Sequence, residues 1–377
     1  MRILIEADSI ASEKMSGIGH TVLEIITALD KIVHNTPHRI TIIVPYGRKK
    51  YTQKYNWQNI SVRQLPPGYK YVNYILTRTS IPVPIDLLYG RGVYIFPNYK
   101  NWSVPFSKSI TFVHDVAFRL FPETIHPKNL DYLNANFHRW LARTDGVISI
   151  SRQSAAETKR FFPETKGKIR AIYLGVDSNV FYPHNKAGIK KTLDKYGIND
   201  DFFLVVGNIE PRKNVLGALE AYQKYADVTS KPAQLVIVGG DGWRNEATLE
   251  KINAMIANGY LIYRPNKYVI DEDLPILYSG ARALIHIALH EGFGLPPVQA
   301  QACGCPVIAS SLPVFRETLN PLTVTYVDID NVESVVSALR QTTPVTAKRT
   351  PSNMKDLTWH NTVTQLLDFA GIIKDND

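Results

Sequence analysis

Residues 283–309 read ALIHIALHEGFGLPPVQAQACGCPVIA, and this stretch decides the fold. Its first five residues, Ala283–Ile287, are largely apolar in succession, which is typical of a parallel strand covered on both faces. A glycine-rich turn follows. A helix then begins near Pro296 or Pro297, since proline suits the first helical turn, and it ends near Gly304. Strand, turn and helix in this order predict one unit of a doubly wound α/β sheet.

The turn of this unit predicts an anion site. Four backbone N–H groups would lie at a helix N-terminus and at the carboxyl end of a parallel strand, where open α/β sheets bind ligands. These groups belong to Gly292, Phe293, Gly294 and Leu295. Glu291 lies at the mouth of the same turn, where its carboxylate is placed to accept hydrogen bonds from sugar hydroxyls. A plain strand–turn–helix would explain the glycines but not the whole string.

Short runs rich in β-branched and aromatic residues predict strands along the whole chain. In the first half the predicted strands are Arg2–Ala7, Arg39–Val44, Ile60–Gln64, Val93–Phe96, Ile110–His114, Gly146–Ile150 and Lys168–Tyr173. In the second half they are Phe202–Val206, Gln234–Val238, Leu261–Tyr263, Ala283–Ile287, Val307–Ala309 and Thr323–Val327. The clearest helical patterns between them are Thr21–Asp30, Leu130–Ala142, Ser154–Phe162, Val215–Tyr225, Asp273–Ser279 and Val332–Leu339.

The alternation of strands and helices predicts doubly wound parallel sheets, and the series occurs twice. The polar stretch 182–186 separates the two series and is interpreted as a linker. We therefore expect two Rossmann-like domains, residues 1–185 and 186–357, followed by a helical segment at 358–377. The length of 377 residues also suits two domains.

Composition restricts the function classes. The chain is 45% hydrophobic and 20% charged, and no apolar run approaches the roughly 20 residues of a membrane span, so a soluble or peripheral protein is expected. No signal peptide is expected, because the apolar run Ile3–Ile5 is broken at once by Glu6 and Asp8. Cys303 and Cys305 are too close for an unstrained bridge and too few for a metal site, which favours structural thiols in a reducing cytoplasm.

The net charge of +9 is unevenly distributed. Residues 1–190 contain 26 Lys/Arg against 13 Asp/Glu, a balance of +13, whereas residues 191–377 contain 17 against 21, a balance of −4. Residues 31–110 contain 12 basic residues, many aromatic ones and a single acid, Asp86. This pattern favours contact with phosphates or with an anionic membrane surface, although a solvated basic face explains the excess equally well. No nucleic-acid-binding motif accompanies it, so nucleic acid is not expected as a partner.

A second string, VVGNIEPRKN at residues 205–214, carries two adjacent cations after a predicted strand. Arg212 offers a planar fork of donors and Lys213 a compact point charge, a combination that suits a diphosphate. Two solvated surface cations would be the ordinary interpretation of an isolated pair. In this context we interpret the pair as a diphosphate contact.

The string at 290–309 resembles the signature of glycosyltransferase family 4, a large group of retaining enzymes with the GT-B architecture. The family's pattern is Glu-Gly-Phe-Gly-Leu-Pro, a second glutamate eight positions after the first, and then Ala-Cys-Gly-x-Pro-Val. The resemblance implies two Rossmann-like domains that face each other across a cleft, the first binding the acceptor and the second the donor. Gln299 stands where the family has the glutamate that binds the ribose hydroxyls, so ribose binding would depend on an uncharged side chain.

Two further segments of the second half extend the resemblance. Gly207 to Asn214 resembles the family's Gly-x-x-x-Pro-Arg-Lys-Asn segment, which implies donor contacts at both ends of the string. Tyr268 and Val269 begin a loop and helix that resemble the family's nucleobase-binding segment. The family's usual glycine in that loop is Lys267 here.

The first half contributes two shorter matches. Gly17 and Gly19 resemble the glycine loop that lies over the donor and acceptor, and His114 resembles the histidine beside the donor sugar. A lone histidine at a strand end is more often structural, so the motif carries this assignment. Trp359, in the segment 358–377, belongs to a stretch that resembles the helix packing back on the first domain.

Asp328 and Asp330 form an Asp-x-Asp, the motif by which another class of glycosyltransferase holds a divalent cation. They precede a predicted helix at Val332, and Asp330 or Asn331 suits the N-cap of that helix. We interpret the motif as structural. No metal and no other cofactor is expected, because Arg212 and Lys213 with the helix N-terminus can neutralise a diphosphate.

The expected function is transfer of a hexosyl unit, of mannose, glucose or rhamnose type, from a nucleotide-diphosphate sugar to a glycan or lipid-linked saccharide in bacterial surface polysaccharide synthesis. Catalytic roles are expected for Glu291, His114, Arg212 and Lys213. The expected location is the cytoplasm or, peripherally, the inner face of the cell membrane.

Two alternatives remain open. A nicotinamide-dependent oxidoreductase would also have two Rossmann-like domains, but the first strand–helix turn has Val22 where the dinucleotide motif requires its third glycine. A non-catalytic nucleotide-sugar-binding homologue is favoured by Gln299.

Overall fold

The computed structural model describes residues 1–13, 15–34, 36–69, 71–72, 84–99, 101–265, 269–343 and 356–373. Within them lie two sheets of seven and six strands. The first sheet contains β1 (Arg2–Glu6), β2 (Arg39–Val44), β3 (Ile60–Gln64), β4 (Val93–Phe96), β5 (Lys108–Val113), β6 (Gly146–Ser149) and β7 (Ile169–Ala171). The second contains β8 (Phe202–Val206), β9 (Gln234–Val238), β10 (Ile262–Tyr263), β11 (Leu284–His286), β12 (Val307–Ser310) and β13 (Val324–Val327).

Both sheets have the doubly wound topology. Their strand orders are β3-β2-β1-β4-β5-β6-β7 and β10-β9-β8-β11-β12-β13. Every pairing is parallel, with β1 between β2 and β4, and β8 between β9 and β11. The predicted α/β fold with two Rossmann-like parallel sheets is confirmed, and each predicted strand is present. The strand order reverses beside β1 and beside β8, which is where such sheets bind ligands.

Helices connect most of these strands. In the first part of the chain they are α1 (Gly17–Val33), α2 (Ile85–Tyr89), α3 (Ala117–Leu120), α4 (Pro127–Arg143) and α5 (Arg152–Phe161). The later ones are α6 (Lys186–Tyr196), α7 (Val215–Asp227), α8 (Glu246–Ala257), α9 (Leu274–Gly280), α10 (Leu295–Ala302), α11 (Pro313–Thr318), α12 (Val332–Gln341) and α13 (Trp359–Phe369). The predicted helices are present with ends shifted by a few residues, whereas α2, α3, α6, α8 and α11 were not predicted.

The cores explain why the strands are apolar in succession. Strands covered by helices on both faces bury every side chain, and Phe202–Val206 is buried along nearly its whole length. Tyr222 of α7 is fully buried beneath it and donates from its hydroxyl to the carbonyl of Ala233, at 2.8 Å. In the first sheet, Phe96 packs edge-on against Trp102 with ring centroids 5.8 Å apart. Cys303 and Cys305 are buried free thiols.

The chain divides into two compact units. The first comprises Met1–Val116, Asp131–Gly175 and Asp356–Asp377, and the second comprises Ala117–Leu130 and Val176–Lys355. These bounds differ from the predicted division at 185/186. The stretch 182–186 is not a free linker either, because Asn185 caps α6 by accepting a hydrogen bond from Gly188.

Helix α13 contacts the first unit. Thr362 donates to the carbonyl of Tyr173 at 2.8 Å, and Lys108 donates to the carbonyl of Ala370 at 2.9 Å. Arg170 and Asp368 form an ion pair at 2.6 Å. The last described segment of the chain is therefore part of the first unit.

Candidate functional site

The second unit places two loops side by side where its strand order reverses. One loop follows β8 and contains residues 207–214, and the other follows β11 and contains residues 287–294. Because β8 and β11 are parallel neighbours, both loops emerge at the same edge of the sheet. The amide of Leu289 donates to the carbonyl of Arg212 at 2.9 Å, which ties the two loops together.

Glycine is required at the end of β8. Gly207 has φ +134°, and a Cβ atom on neighbouring Gly239 would lie only 1.9 Å from the Gly207 carbonyl oxygen. The ends of β8 and β9 thus approach more closely than side chains would allow. The aliphatic stem of Lys213 passes 3.7 Å from the position that a Gly207 Cβ would occupy. A Cβ there would make only ordinary contact with Lys213, so the positive φ is what favours glycine at 207, and its contact with the donor stays a prediction.

A short 3₁₀ turn, Pro211–Lys213, sets the direction of both cations. It ends at Asn214, whose left-handed φ of +52° turns the chain into α7. The Asn214 side-chain oxygen accepts from the amide of Gly217 at 3.3 Å and so caps this helix. The structure thus gives the Asn214 side chain a capping role, and its contact with the donor stays a prediction.

The carboxylate of Glu291 is the centre of the site. One oxygen accepts from Lys213 Nζ at 2.5 Å and from His286 Nε2 at 3.0 Å. The other accepts from Arg212 Nη1 at 3.4 Å. Glu291 itself is only 7% exposed. The structure thus brings together Glu291, Arg212 and Lys213, which the sequence analysis took from two strings some 80 residues apart.

The charge state of Glu291 follows from its neighbours. Burial raises the pKa of a carboxyl group, but the positive charges of Lys213 and Arg212 act in the opposite direction and outweigh it. The hydrogen bond from His286 also favours the ionised form. The pKa of Glu291 is therefore held well below its usual range, and the group is a carboxylate at neutral pH.

Arg212 is fixed by several acceptors. Besides Glu291, its guanidinium donates to Glu210 Oε1 and to the carbonyl of His290, both at 2.9 Å. Glu210 is buried, and burial raises its pKa although Arg212 and Lys213 oppose the shift. The sequence analysis missed Glu210. The position of this acid, two residues before Arg212 in the same string, could have indicated an ion pair between them.

His286 was also missed by the sequence analysis. It lies on β11, is buried, and packs edge-on against Phe315 with ring centroids 5.6 Å apart. Burial lowers its pKa although the bond to Glu291 opposes the shift, so the imidazole is neutral at pH 7 and donates its Nε2 proton to the carboxylate. The presence of a histidine inside an otherwise apolar strand could have indicated a buried polar contact.

The N-terminus of α10 opens onto the same loop. Gly294 has φ +85°, and a Cβ there would lie 2.5 Å from a Phe315 ring carbon, so only glycine fits. Pro296 and Pro297 have no N–H group. The donors at this end are therefore the loop amides, and in the described part of the chain no acceptor lies against those of Gly294 and Leu295.

The remaining predicted donor contacts have different surroundings. Phe293 is buried, and its carbonyl accepts from Thr318 Oγ1 at 3.2 Å. Gln299 lies half-buried in α10, and its side chain makes no hydrogen bond with another described residue. Val269 is half-buried, whereas Tyr268 lies outside the described residues.

In the first unit, the predicted glycine loop is the start of α1. Ser16 caps the helix by accepting from the amide of Gly19 at 3.3 Å. A Cβ on Gly19 would lie 2.7 Å from the Ser9 carbonyl oxygen, so glycine is required there, whereas Gly17 faces open space. Both glycines follow β1, beside which the order of the first sheet reverses.

His114 follows β5 in the first unit and is buried. Its Nε2 donates to the carbonyl of Pro97 at 2.7 Å, which fixes the ring and its tautomer. Burial lowers its pKa although the bond to Pro97 and the nearby Asp115 oppose the shift. The imidazole is therefore neutral at pH 7, and it is suited to positioning rather than to proton donation.

The Asp-x-Asp motif makes local contacts. Asp328 accepts from the amide of Asp330 at 3.1 Å, and Asn331 caps α12 by accepting from Glu333 at 3.1 Å. Among the described residues there is no group of three His, Cys, Asp or Glu side chains suited to a metal ion. The motif therefore forms the turn before α12.

Comparison with known proteins gives the family. Residues 189–343 match the family model described as glycosyl transferases group 1. O-antigen chain mannosyltransferase B of Escherichia coli is 28% identical over 269 residues, which are 69% of this chain and 69% of that protein. These matches support a glycosyltransferase of this group. The GT-B fold agrees with the family 4 type that the residues at 290–309 indicate.

Other relatives of the transferase include longer proteins. The serotype-specific mannosyltransferase WbdA of Escherichia coli is 25% identical over 283 residues, which are 73% of this chain but 32% of that protein. The O-antigen chain mannosyltransferase RfbU of Salmonella typhimurium is 28% identical over 230 residues, 60% of this chain and 59% of that protein.

Solved structures show the same fold as the transferase at low identity. HepE of Anabaena, solved with UDP and glucose, has a TM-score of 0.70 at 15% identity over 98% of this chain and 99% of that one. A glycosyltransferase of Rickettsia africae has a TM-score of 0.66 at 18% identity over 100% and 99% of the two chains.

Proposed function

We propose that this transferase moves a mannosyl unit from a nucleoside-diphosphate mannose to a glycan or lipid-linked saccharide during synthesis of a bacterial surface polysaccharide. Several relatives are named as O-antigen mannosyltransferases, which favours mannose over the glucose and rhamnose that the sequence alone left open. The reaction proceeds with retention of configuration and without a divalent cation, in the cytoplasm.

The observation that carries the proposal is the cluster of Arg212, Lys213 and Glu291. The side chain of Glu291 is buried, whereas the two cations are partly exposed. The exposed fraction is 17% for the Arg212 side chain and 16% for the Lys213 side chain. A diphosphate that approaches from solvent therefore meets the cations first. Glu291 and Glu210 hold those cations in place beforehand, which lowers the cost of organising them in the transition state.

The chemistry requires charge separation. As the bond between the sugar and the phosphate breaks, negative charge grows on the departing diphosphate and positive charge on the sugar ring. Arg212, Lys213 and the amides of Gly294 and Leu295 stabilise the first of these. Glu291 orients the sugar, and His114 helps to position it. The acceptor oxygen attacks from the face that the diphosphate leaves, and a phosphate oxygen takes the acceptor proton.

A donor panel tests the proposal. Purified protein is incubated with GDP-mannose, UDP-glucose and dTDP-rhamnose and a saccharide acceptor, in excess EDTA, with released nucleotide as the readout. We expect release with the mannose donor, and an α-linked product by NMR from the α-linked donor. An inverted linkage would contradict retention, and activity restored only by added Mg²⁺ or Mn²⁺ would contradict metal independence.

The non-catalytic alternative is favoured by one observation. Gln299 replaces the glutamate expected for ribose binding, and its side chain makes no bond with another described residue. Nucleotide-sugar binding without slow hydrolysis or transfer of any donor in the panel would support that alternative.

A further inference from the structure

Helix α2 presents two leucines to solvent. On its inner side Ile85 is fully buried, and Tyr89 donates from its hydroxyl to the carbonyl of Gln64 at 2.6 Å. On its outer side Leu87 is 68% exposed and Leu88 is 57% exposed. The helix is thus held to the sheet by one side while the other offers adjacent apolar side chains.

A third exposed apolar side chain lies beside this helix. Phe106 is 50% exposed, and its amide donates to Asp86 Oδ2 of α2 at 2.7 Å. The guanidinium of Arg91 lies over the Phe106 ring, 5.6 Å from its centre. We call Leu87, Leu88, Arg91 and Phe106 the α2 patch. Asp86 joins the two segments of the patch through this one hydrogen bond.

The charge around the α2 patch is mainly positive. Asp86 is the single acid among residues 31–110, against 12 basic residues, and it is buried. Gly90 lies against the guanidinium of Arg2, and Phe106 precedes Lys108 by two residues. Arg2 and Lys108 are both exposed at the amino ends of β1 and β5. Asp145 is an exposed acid near Lys108, since its carboxylate accepts from the amide of Ser109 at 2.7 Å. Against this one acid, Arg2, Arg91 and Lys108 give the surroundings of the patch an excess of exposed positive charge.

The patch lies away from the predicted donor and acceptor loops of the first unit. Gly17 and His114 follow the carboxyl ends of β1 and β5, whereas Arg2 and Lys108 begin the same strands. Strands of this length separate the two edges of the sheet by roughly 15–20 Å. A surface bound at the patch would leave those loops uncovered.

We propose that the α2 patch docks the protein onto an anionic phospholipid surface. Exposed leucine and phenylalanine side chains enter the boundary between headgroups and acyl chains, while Arg91, Arg2 and Lys108 contact lipid phosphates. Exposed apolar side chains flanked by cations suit an anionic lipid interface. None of the helices in the described part of the chain has the length and apolar composition that a bilayer crossing requires, so the contact is peripheral.

The experiment is flotation of the full chain with vesicles of phosphatidylcholine alone or with phosphatidylglycerol added. We expect binding to the anionic vesicles that weakens as salt is raised. The double substitution Leu87→Gln/Leu88→Gln should weaken partitioning at least tenfold, and Arg91→Gln should weaken it on anionic vesicles only. Leu322→Gln is the matched control, because Leu322 is 89% exposed in the second unit.

Three results would overturn the proposal. They are equal binding to both kinds of vesicle, equal binding by the double variant and the Leu322→Gln control, and concentration-dependent dimerisation at the patch without vesicle binding. The last would assign the patch to a second copy of the chain. Nucleotide binding by each variant, measured without vesicles, reports whether the chain is folded, and it separates failure here from failure of the proposed transferase reaction.

Discussion

In the second unit, the ends of β8 and β11 bring together two cations and two buried carboxylates. In the first unit, the ends of β1 and β5 carry two glycines and a neutral histidine whose ring is bonded to the backbone. The groups that we propose to stabilise a departing diphosphate therefore lie in one unit. The first unit contributes a turn that contains two glycines and the neutral imidazole of His114. Substitutions in the two regions should differ in size and in kind.

Lys213→Met should have the largest effect. It removes a cation beside the expected diphosphate, and loss of one such group typically costs about 2.7–4 kcal/mol of transition-state stabilisation. We expect kcat/KM to fall about 100- to 1,000-fold in a nucleotide-release assay. Lys224→Met is the matched control, because Lys224 lies on α7 of the same unit, pairs with Glu333 and is exposed. Near-normal turnover by Lys213→Met would remove Lys213 from the mechanism.

Glu210→Ala should have a smaller effect, because Arg212 keeps Glu291 and the carbonyl of His290 as acceptors. A hydrogen bond between charged groups is worth about 1.5–3 kcal/mol, so we expect kcat to fall roughly 10- to 100-fold. Glu210→Gln keeps an acceptor for the guanidinium and should recover most of this loss. If the Gln variant were as impaired as the Ala variant, Glu210 would act through its charge rather than by positioning Arg212.

His114→Gln should reduce turnover less than either change in the second unit. Glutamine can keep a donor for the carbonyl of Pro97, and the native ring is neutral, so no charge is lost. We expect a loss of about 1 kcal/mol, or roughly fivefold in kcat. The pH profile between 6 and 8 should not change. A lost acidic or basic limb in this variant would show that His114 transfers a proton.

The smallest expected effect concerns stability. Burial lowers the pKa of His286 below 6.5, so at pH 5.5 the unfolded chain binds a proton that the folded chain does not. The free energy of unfolding should therefore fall as pH drops below 6.5. Urea unfolding of His286→Gln should show this fall reduced by about 1 kcal/mol between pH 6.5 and 5.5. An unchanged slope would show that His286 is protonated in the folded state.

The fold could be predicted from the sequence because strands and strand–turn–helix units are recognisable from short stretches of residues. Apolar runs such as Phe202–Val206 identify buried parallel strands, and the glycines around Glu291 identify a strand–turn–helix. The predicted pairing of Glu291 with Arg212 and Lys213 came from a family pattern, and the adjacency of β8 and β11 supplies its physical reason.

The contacts that Glu210 and His286 make with the site could not be predicted from the sequence. They depend on the direction in which each side chain points, and the sequence does not reveal that direction. Glu210 is two residues from Arg212, but its bond to the guanidinium depends on the 3₁₀ turn at Pro211–Lys213. His286 reaches Glu291 because the chain reverses after β11. The grouping of residues 117–130 with the second unit likewise depends on contacts that composition does not reveal.

The most direct test of the central claim is calorimetric titration in EDTA of GDP and GMP into the wild-type protein and the Lys213→Met variant. If Arg212 and Lys213 bind the diphosphate without a metal ion, wild type should bind GDP at least tenfold more tightly than GMP, and the variant should lose that preference. Equal affinity for the two nucleotides in wild type, or a preference that needs Mg²⁺ or survives in the variant, would contradict the account.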